Sequence, residues 1–177
     1  LAPGRVAIHS APLPGVVDIG LFPTGLDELC AEVCDDLTAA GFDSRPDVDI
    51  ERWKYTKLIS NLANVLQALG GNEALASPLR KRVQAEATNV FDAAGVRYLP
   101  LSELYRRGSS WQSLARGAGS IETRYLNGEV ERLGLQLGVA TPLNSGLCAL
   151  ADKAVAEGWP AAHLSIEQIE RALAHQD

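Results

Sequence analysis

Between Ile50 and Leu69 the apolar positions recur with the period of an α-helix, and Leu58, Leu62, Val65, Leu66 and Leu69 cluster on one sector. On the adjoining stripe Lys57, Asn61 and Asn64 fall at relative angles of roughly 0°, 40° and −20°. Three polar side chains thus line up beside a core face. Two carboxamides that donate and accept, next to an ammonium that carries charge or a proton, are equipped to hold a polar ligand. The competing reading is a lysine reaching solvent from the helix edge and two asparagines on a wet surface.

The same pattern divides the chain. Val6 to His9 and Val16 to Leu21 read as short strands with a Pro- and Gly-containing turn between them. Thr24 reads as the N-cap of a helix carrying Leu26, Leu29, Cys30, Val33 and Leu37, stopped by Gly41, and Phe42 to Arg45 as one more strand. Pro46 to Asp49 is a turn, and beyond it the period is helical throughout. The predicted helices are Ile50 to Leu69, ended by Gly70-Gly71; one opened by Ser77-Pro78, with Leu79, Val83, Ala87, Val90, Phe91 and Ala94 on one face and Gly95 at its end; and a short one over Leu101 to Arg107. After a Gly- and Ser-rich loop from Gly108 to Ser120 come a long helix from Ile121 to Leu137, one opened by Thr141-Pro142 and ending near Gly158, and a last one capped by Ser165. Residues 1–49 therefore form a small α/β part, and residues 50–177 an all-helical domain.

Composition bounds the chemistry. The chain has 177 residues, 46% of them hydrophobic and 21% charged, with a net charge of −6, which is enough length for a substantial core. The acidic balance argues against nucleic-acid binding, and Arg80-Lys81-Arg82 is a single basic turn. No apolar run reaches the roughly 18 residues of a membrane span. Three cysteines make no disulfide framework and fit a reducing cytoplasm, and three scattered histidines make no metal site. With Leu1 first and no methionine, the chain reads as a piece of a longer protein.

Two motifs fail on context. Gly117-Ala118-Gly119 begins like a dinucleotide fingerprint but follows no strand and runs into Glu122. Ser109-Ser110 has no nucleophile-elbow pattern and no nearby histidine, which argues against a hydrolase triad. Glu122 opens a helix, where a carboxylate is favoured by the dipole whatever else it does. Asn127-Gly128 stands mid-helix at a propensity cost of about 1 kcal/mol for the glycine, which calls for a packing or functional reason.

Taken together, Trp53-x-x-x-Lys57-Leu-x-x-Asn61-x-x-Asn64, Ser109-Ser110, Glu122-x-x-Tyr125-Leu126-Asn127-Gly128-Glu129-Val130 and Gly138-Val-Ala-Thr141-Pro142-Leu-Asn144 resemble the ketopantoate reductase (2-dehydropantoate 2-reductase) family. The resemblance implies a helical C-terminal domain like that of 6-phosphogluconate dehydrogenases, preceded by the last part of a Rossmann domain that binds NADPH and otherwise lies outside this chain. It implies reduction of a 2-oxo acid, with Lys57 protonating the developing alkoxide, Glu122 supporting the lysine or a substrate hydroxyl, and Asn61, Asn64 and Ser110 contacting substrate. Asn64 stands three residues after Asn61, where the best-known members place their second asparagine four after. A cytoplasmic enzyme, possible homodimer, free of metal, nucleic acid and membrane, follows. Two rivals stay open: a reductase of the same architecture acting on another 2-oxo acid or an imine, and a non-catalytic helical dimerisation module.

Overall fold

The computed structural model describes residues 14–106 and 119–174. Its helices are α1 (Glu28–Ala39), α2 (Ile50–Asn61), α3 (Asn64–Ala76), α4 (Leu79–Ala93), α5 (Leu101–Arg106), α6 (Gly119–Leu137), α7 (Pro142–Ala156) and α8 (Ile166–Ala174). The protein is mainly helical, as its periodicity predicts, and no helix among the described residues is long and apolar enough to cross a membrane. The described chain divides into two compact units, residues 14–56 with 98–106, and residues 57–97 with 119–174.

In the first unit the two expected strands pair only at isolated parallel bridges, Val16 with Asp43 and Ile19 with Pro46. The amides of Val17 and Ile19 bond the Asp43 and Arg45 carbonyls at 3.0 and 3.1 Å, but the Ser44 hydroxyl donates to the Val17 carbonyl at 2.6 Å. That carbonyl is the one a continuous parallel ladder gives to the Arg45 amide, so the serine interrupts the strand. The predicted strand at Val6 to His9 lies outside the described residues. The N-cap of α1 is Asp27, not Thr24: its extended backbone (φ −134°, ψ 179°) lets its carboxylate accept from the Cys30 amide at 2.8 Å. Thr24 instead donates its hydroxyl to Val48. Cys30 and Cys34 are the buried face of α1, whereas Leu26 and Leu29 are exposed. Asp47 makes the predicted turn, its two carboxylate oxygens taking the Asp49 amide at 2.8 Å and the Trp53 indole at 2.7 Å. Thr56, fully buried, ties α2 to the following segment by accepting from the Leu99 amide at 2.7 Å.

The second unit is built around Leu62, Leu66, Leu79, Val83, Ala87, Val90, Phe91, Val130, Leu147 and Ile169, all with no exposed surface. Helix ends in both units follow the sequence closely. Gly41, Gly95, Gly138 and Gly158 all sit at positive φ just past a helix. In each case the following amide reaches back five residues, as in Val96 to Phe91 and Trp159 to Ala154, and closes the last turn. Ser165 and Gln168 form a reciprocal capping box at the start of α8. Ser77, expected as a cap, instead donates its hydroxyl to the Ala74 carbonyl at 2.7 Å.

One predicted element is corrected. The helix expected from Ile50 to Leu69 is broken after Asn61. Its second half leaves helical geometry at Gly71 (φ 70°, ψ −161°), where the Gly70-Gly71 stop is expected, and a short further helical stretch continues α3 to Ala76. The Ala68 and Leu69 carbonyls accept instead from the Ala162 and Leu164 amides, both at 2.9 Å, so the chain before α8 supplies the lost bonds. A side chain at Gly70 would stand 2.8 Å from Ile169 and 3.1 Å from the Leu164 oxygen, so close approach of α8 requires glycine there.

Candidate functional site

Lys57 and Asn61 are four residues apart on α2, hence one turn above each other, and both are half-buried. Asn64 is the first residue of α3, beyond the break, and is half-buried as well. The uniform rotation that places it beside Lys57 in the sequence is interrupted at Leu62-Ala63. Leu62 and Ala63 themselves are buried.

The break is held from outside the helix. α2 contains no glycine or proline near its end, so nothing local stops it. The Leu66 amide turns to Ala63 at 3.1 Å, three residues back, and leaves the Leu62 carbonyl without its helical partner. That carbonyl accepts from Asn127 Nδ2 on α6 at 3.2 Å, and the Ile59 carbonyl one turn earlier accepts from Gln84 Nε2 on α4 at 3.2 Å. Since a carbonyl can only accept, the orientation of both amides follows from their partners.

Asn127 is itself oriented. Its Nδ2 also donates to Asn144 Oδ1 at 2.9 Å, and Asn144 Nδ2 donates to Glu86 at 2.6 Å and to the Val83 carbonyl at 3.2 Å. Glu86 closes the chain by accepting from the Leu143 and Asn144 amides at 2.9 and 2.7 Å, at the positive end of α7. Asn127 and Asn144 are buried to 1% and 0% exposure, where an unpaired amide would be costly, and the network gives each the partners it needs.

The sequence singled out Asn127-Gly128 as an expensive pair, and the structure divides it. Asn127 is a buried hydrogen-bonding residue, but a side chain at Gly128 would meet its nearest neighbours at 3.8 Å, an ordinary contact. Gln84 and Glu86 were not among the sequence candidates. A signal for Gln84 existed: it shares the 3-and-4 spacing of the buried stripe with Ala87 and Phe91. Glu86 carried none, because its partners lie 57 and 58 residues away.

Glu122 lies in the first turn of α6 and is exposed, five residues before Asn127. It forms no ion pair with Lys57. Ser109 and Ser110 lie outside the described residues. Elsewhere in the unit a groove of about 310 Å³ is lined by Val65, Ala68, Ala154, Val155, Trp159 and His163, with the last two rings 5.0 Å apart. Neither Lys57 nor Glu122 touches it. Among the described residues no group of three or more His, Cys, Asp or Glu could hold a metal ion.

A mainly helical domain with a lysine-and-carboxamide stripe is one frame in which to place this chain, and comparison with known proteins fixes it. The family described as ketopantoate reductase PanE/ApbA C terminal matches residues 24–155. The chain belongs to that family. It is also 35% identical over 116 residues to a 2-dehydropantoate 2-reductase of Pyrobaculum aerophilum, an alignment covering 56% of this chain and 42% of that protein. The matched region is thus less than half the length of the relative.

Proposed function

We propose that this chain supplies the substrate side of an NADPH-dependent reductase of a small 2-oxo acid, of the 2-dehydropantoate 2-reductase kind. The observation that carries the reading is the family match spanning α1 to α7, which contains Lys57, Asn61, Asn64 and Glu122 together. In this reading residues 1–49 are the end of a Rossmann-type domain and residues 50–177 the substrate-binding and dimerising domain. In this reading NADPH is seated by the Rossmann-type nucleotide-binding domain, on a glycine-rich turn between a strand and a helix. NADPH supplies the hydride when bound there.

The residues of this chain act on the oxygen. Lys57 holds a proton within reach of the carbonyl oxygen that becomes an alkoxide, which both stabilises the developing charge and quenches it. Asn61 and Asn64 orient the substrate through their amides, and Ser110 adds a hydroxyl. Glu122 is the carboxylate that supports the lysine or takes a substrate hydroxyl. Its exposed position leaves it open to a ligand.

The test is Lys57→Ala in the full-length protein, assayed with ketopantoate and NADPH. Turnover is expected to fall by about 10² to 10⁴-fold, the usual contribution of a positioned general acid, with the helical circular dichroism unchanged. Turnover equal to the parent overturns the assignment of Lys57. Sedimentation velocity on the same protein reads the homodimer that this reading includes.

A further inference from the structure

The structure contains a device that the residue pattern of α2 does not. α2 stops after Asn61 although its sequence favours continuation, and the two carbonyls flanking the stop, Ile59 and Leu62, are taken by side chains from two other helices. If those side chains were apolar, the carbonyls would be left buried without partners, since Ile59 and Leu62 are 2% and 0% exposed. The nearest remedy is for α2 and α3 to fuse, letting each carbonyl accept from the amide four residues on. Fusion would return Asn64 to a uniform helical rotation and change its direction relative to Lys57 and Asn61.

We infer that Asn127 and Gln84 are positioning residues, which hold the α2–α3 break open and thereby set the direction of Asn64 relative to Lys57 and Asn61. Their bonds go to backbone oxygens, so they act without touching substrate. Asn127 is the better fixed of the two, because Asn144 and Glu86 orient its amide from behind. The inference rests on the reading of Lys57, Asn61 and Asn64 as the substrate-facing stripe.

The experiment is a double-mutant cycle in the full-length protein, with ketopantoate and NADPH as the assay. Asn127→Leu is expected to lower kcat/KM about ten-fold or more, as misaimed groups do. Val130→Ala, a cavity at a fully buried position of the same helix whose side chain has no donor to offer either carbonyl, is expected to stay within about two-fold once folded protein is counted. In an Asn64→Ala background the further effect of Asn127→Leu is expected to shrink to about two-fold, because its target is already gone. Gln84→Met, close in length but without a donor, repeats the comparison and serves if Asn127→Leu does not fold. Parent-like kcat/KM in the folded variants, or a full independent loss on top of Asn64→Ala, overturns the inference. Lys57→Ala separates the two levels: with that variant inactive and the Asn127 and Gln84 variants unaffected, only the positioning role fails. An active Lys57→Ala removes the substrate reading and the positioning role with it.

Discussion

Glu86 accepts three hydrogen bonds from the first turn of α7, one from Leu143 and two from Asn144, across 57 and 58 residues of sequence. The contact does three things at once. It caps free amides at a helix start, places a negative charge at the positive end of the helix dipole, and orients the amide of Asn144 that in turn orients Asn127. The Thr141 hydroxyl, expected from its position to cap this helix, bonds Ser145 instead at 3.1 Å, so the cap is supplied from α4.

Glu86→Gln is therefore expected to destabilise the protein. It removes the charge and turns amide hydrogens toward the Leu143 and Asn144 donors, and buried amides that lose an acceptor typically cost about 1–3 kcal/mol. Urea titration of the parent and variant reads the difference. A midpoint unchanged by the substitution would show that water serves the α7 amides equally well.

Two glycines of α6 give opposite expectations for the same substitution. At Gly134 a methyl group would stand 2.6 Å from the Thr141 side chain and 2.7 Å from the Val139 oxygen, and the latter is backbone that cannot swing away. Gly134→Ala is expected to destabilise by about 1–3 kcal/mol through overpacking. The measured midpoint falls if so, and an unchanged one would mean that the α6–α7 connection yields.

At Gly128 the nearest atoms to such a methyl are 3.8 Å away, and the backbone is helical. Gly128→Ala should then recover helix propensity, a gain of about 0.5–1 kcal/mol. A stabilised protein with parent-like kcat/KM would show that the glycine serves neither packing nor catalysis. A stabilised but impaired enzyme would instead identify Gly128 with substrate access.

How much of this was legible beforehand divides along a physical line. Helix ends set by local chemistry could be read directly: Gly41, Gly95, Gly138 and Gly158 each need a left-handed backbone, and Ser165 with Gln168 is a self-contained box. The buried stripe of α4 was equally plain. The break between α2 and α3 was not, because its causes, Gln84 and Asn127, are 25 and 65 residues from the carbonyls they hold. Lys57, Asn61 and Asn64 were legible as candidates, while the direction of Asn64 depended on that break. The shift of the α1 cap from Thr24 to Asp27 is a case between, since both residue types cap well and the Val48 carbonyl decided which was free to do so.

Cys148 yields a prediction about pH. It is 1% exposed, its thiol lies 3.8 Å from the Thr123 carbonyl, and burial, helped by nearby Glu131, pushes its pKa from the ordinary 9.0 up to about 11. In the unfolded chain the same thiol ionises near the ordinary value. Between those two values the unfolded state loses its proton while the folded state keeps it, so rising pH favours unfolding. The stability that depends on a neutral Cys148 is fully present below pH 9 and is lost as pH climbs toward 11, by on the order of 2 kcal/mol. Cys148→Ala removes this titration, so the difference in unfolding free energy between parent and variant should change across that window and stay constant below it. Urea titrations from pH 7 to 10.5 measure it, and parallel pH curves for the two proteins would mean that the buried thiol ionises as readily in the fold as outside it.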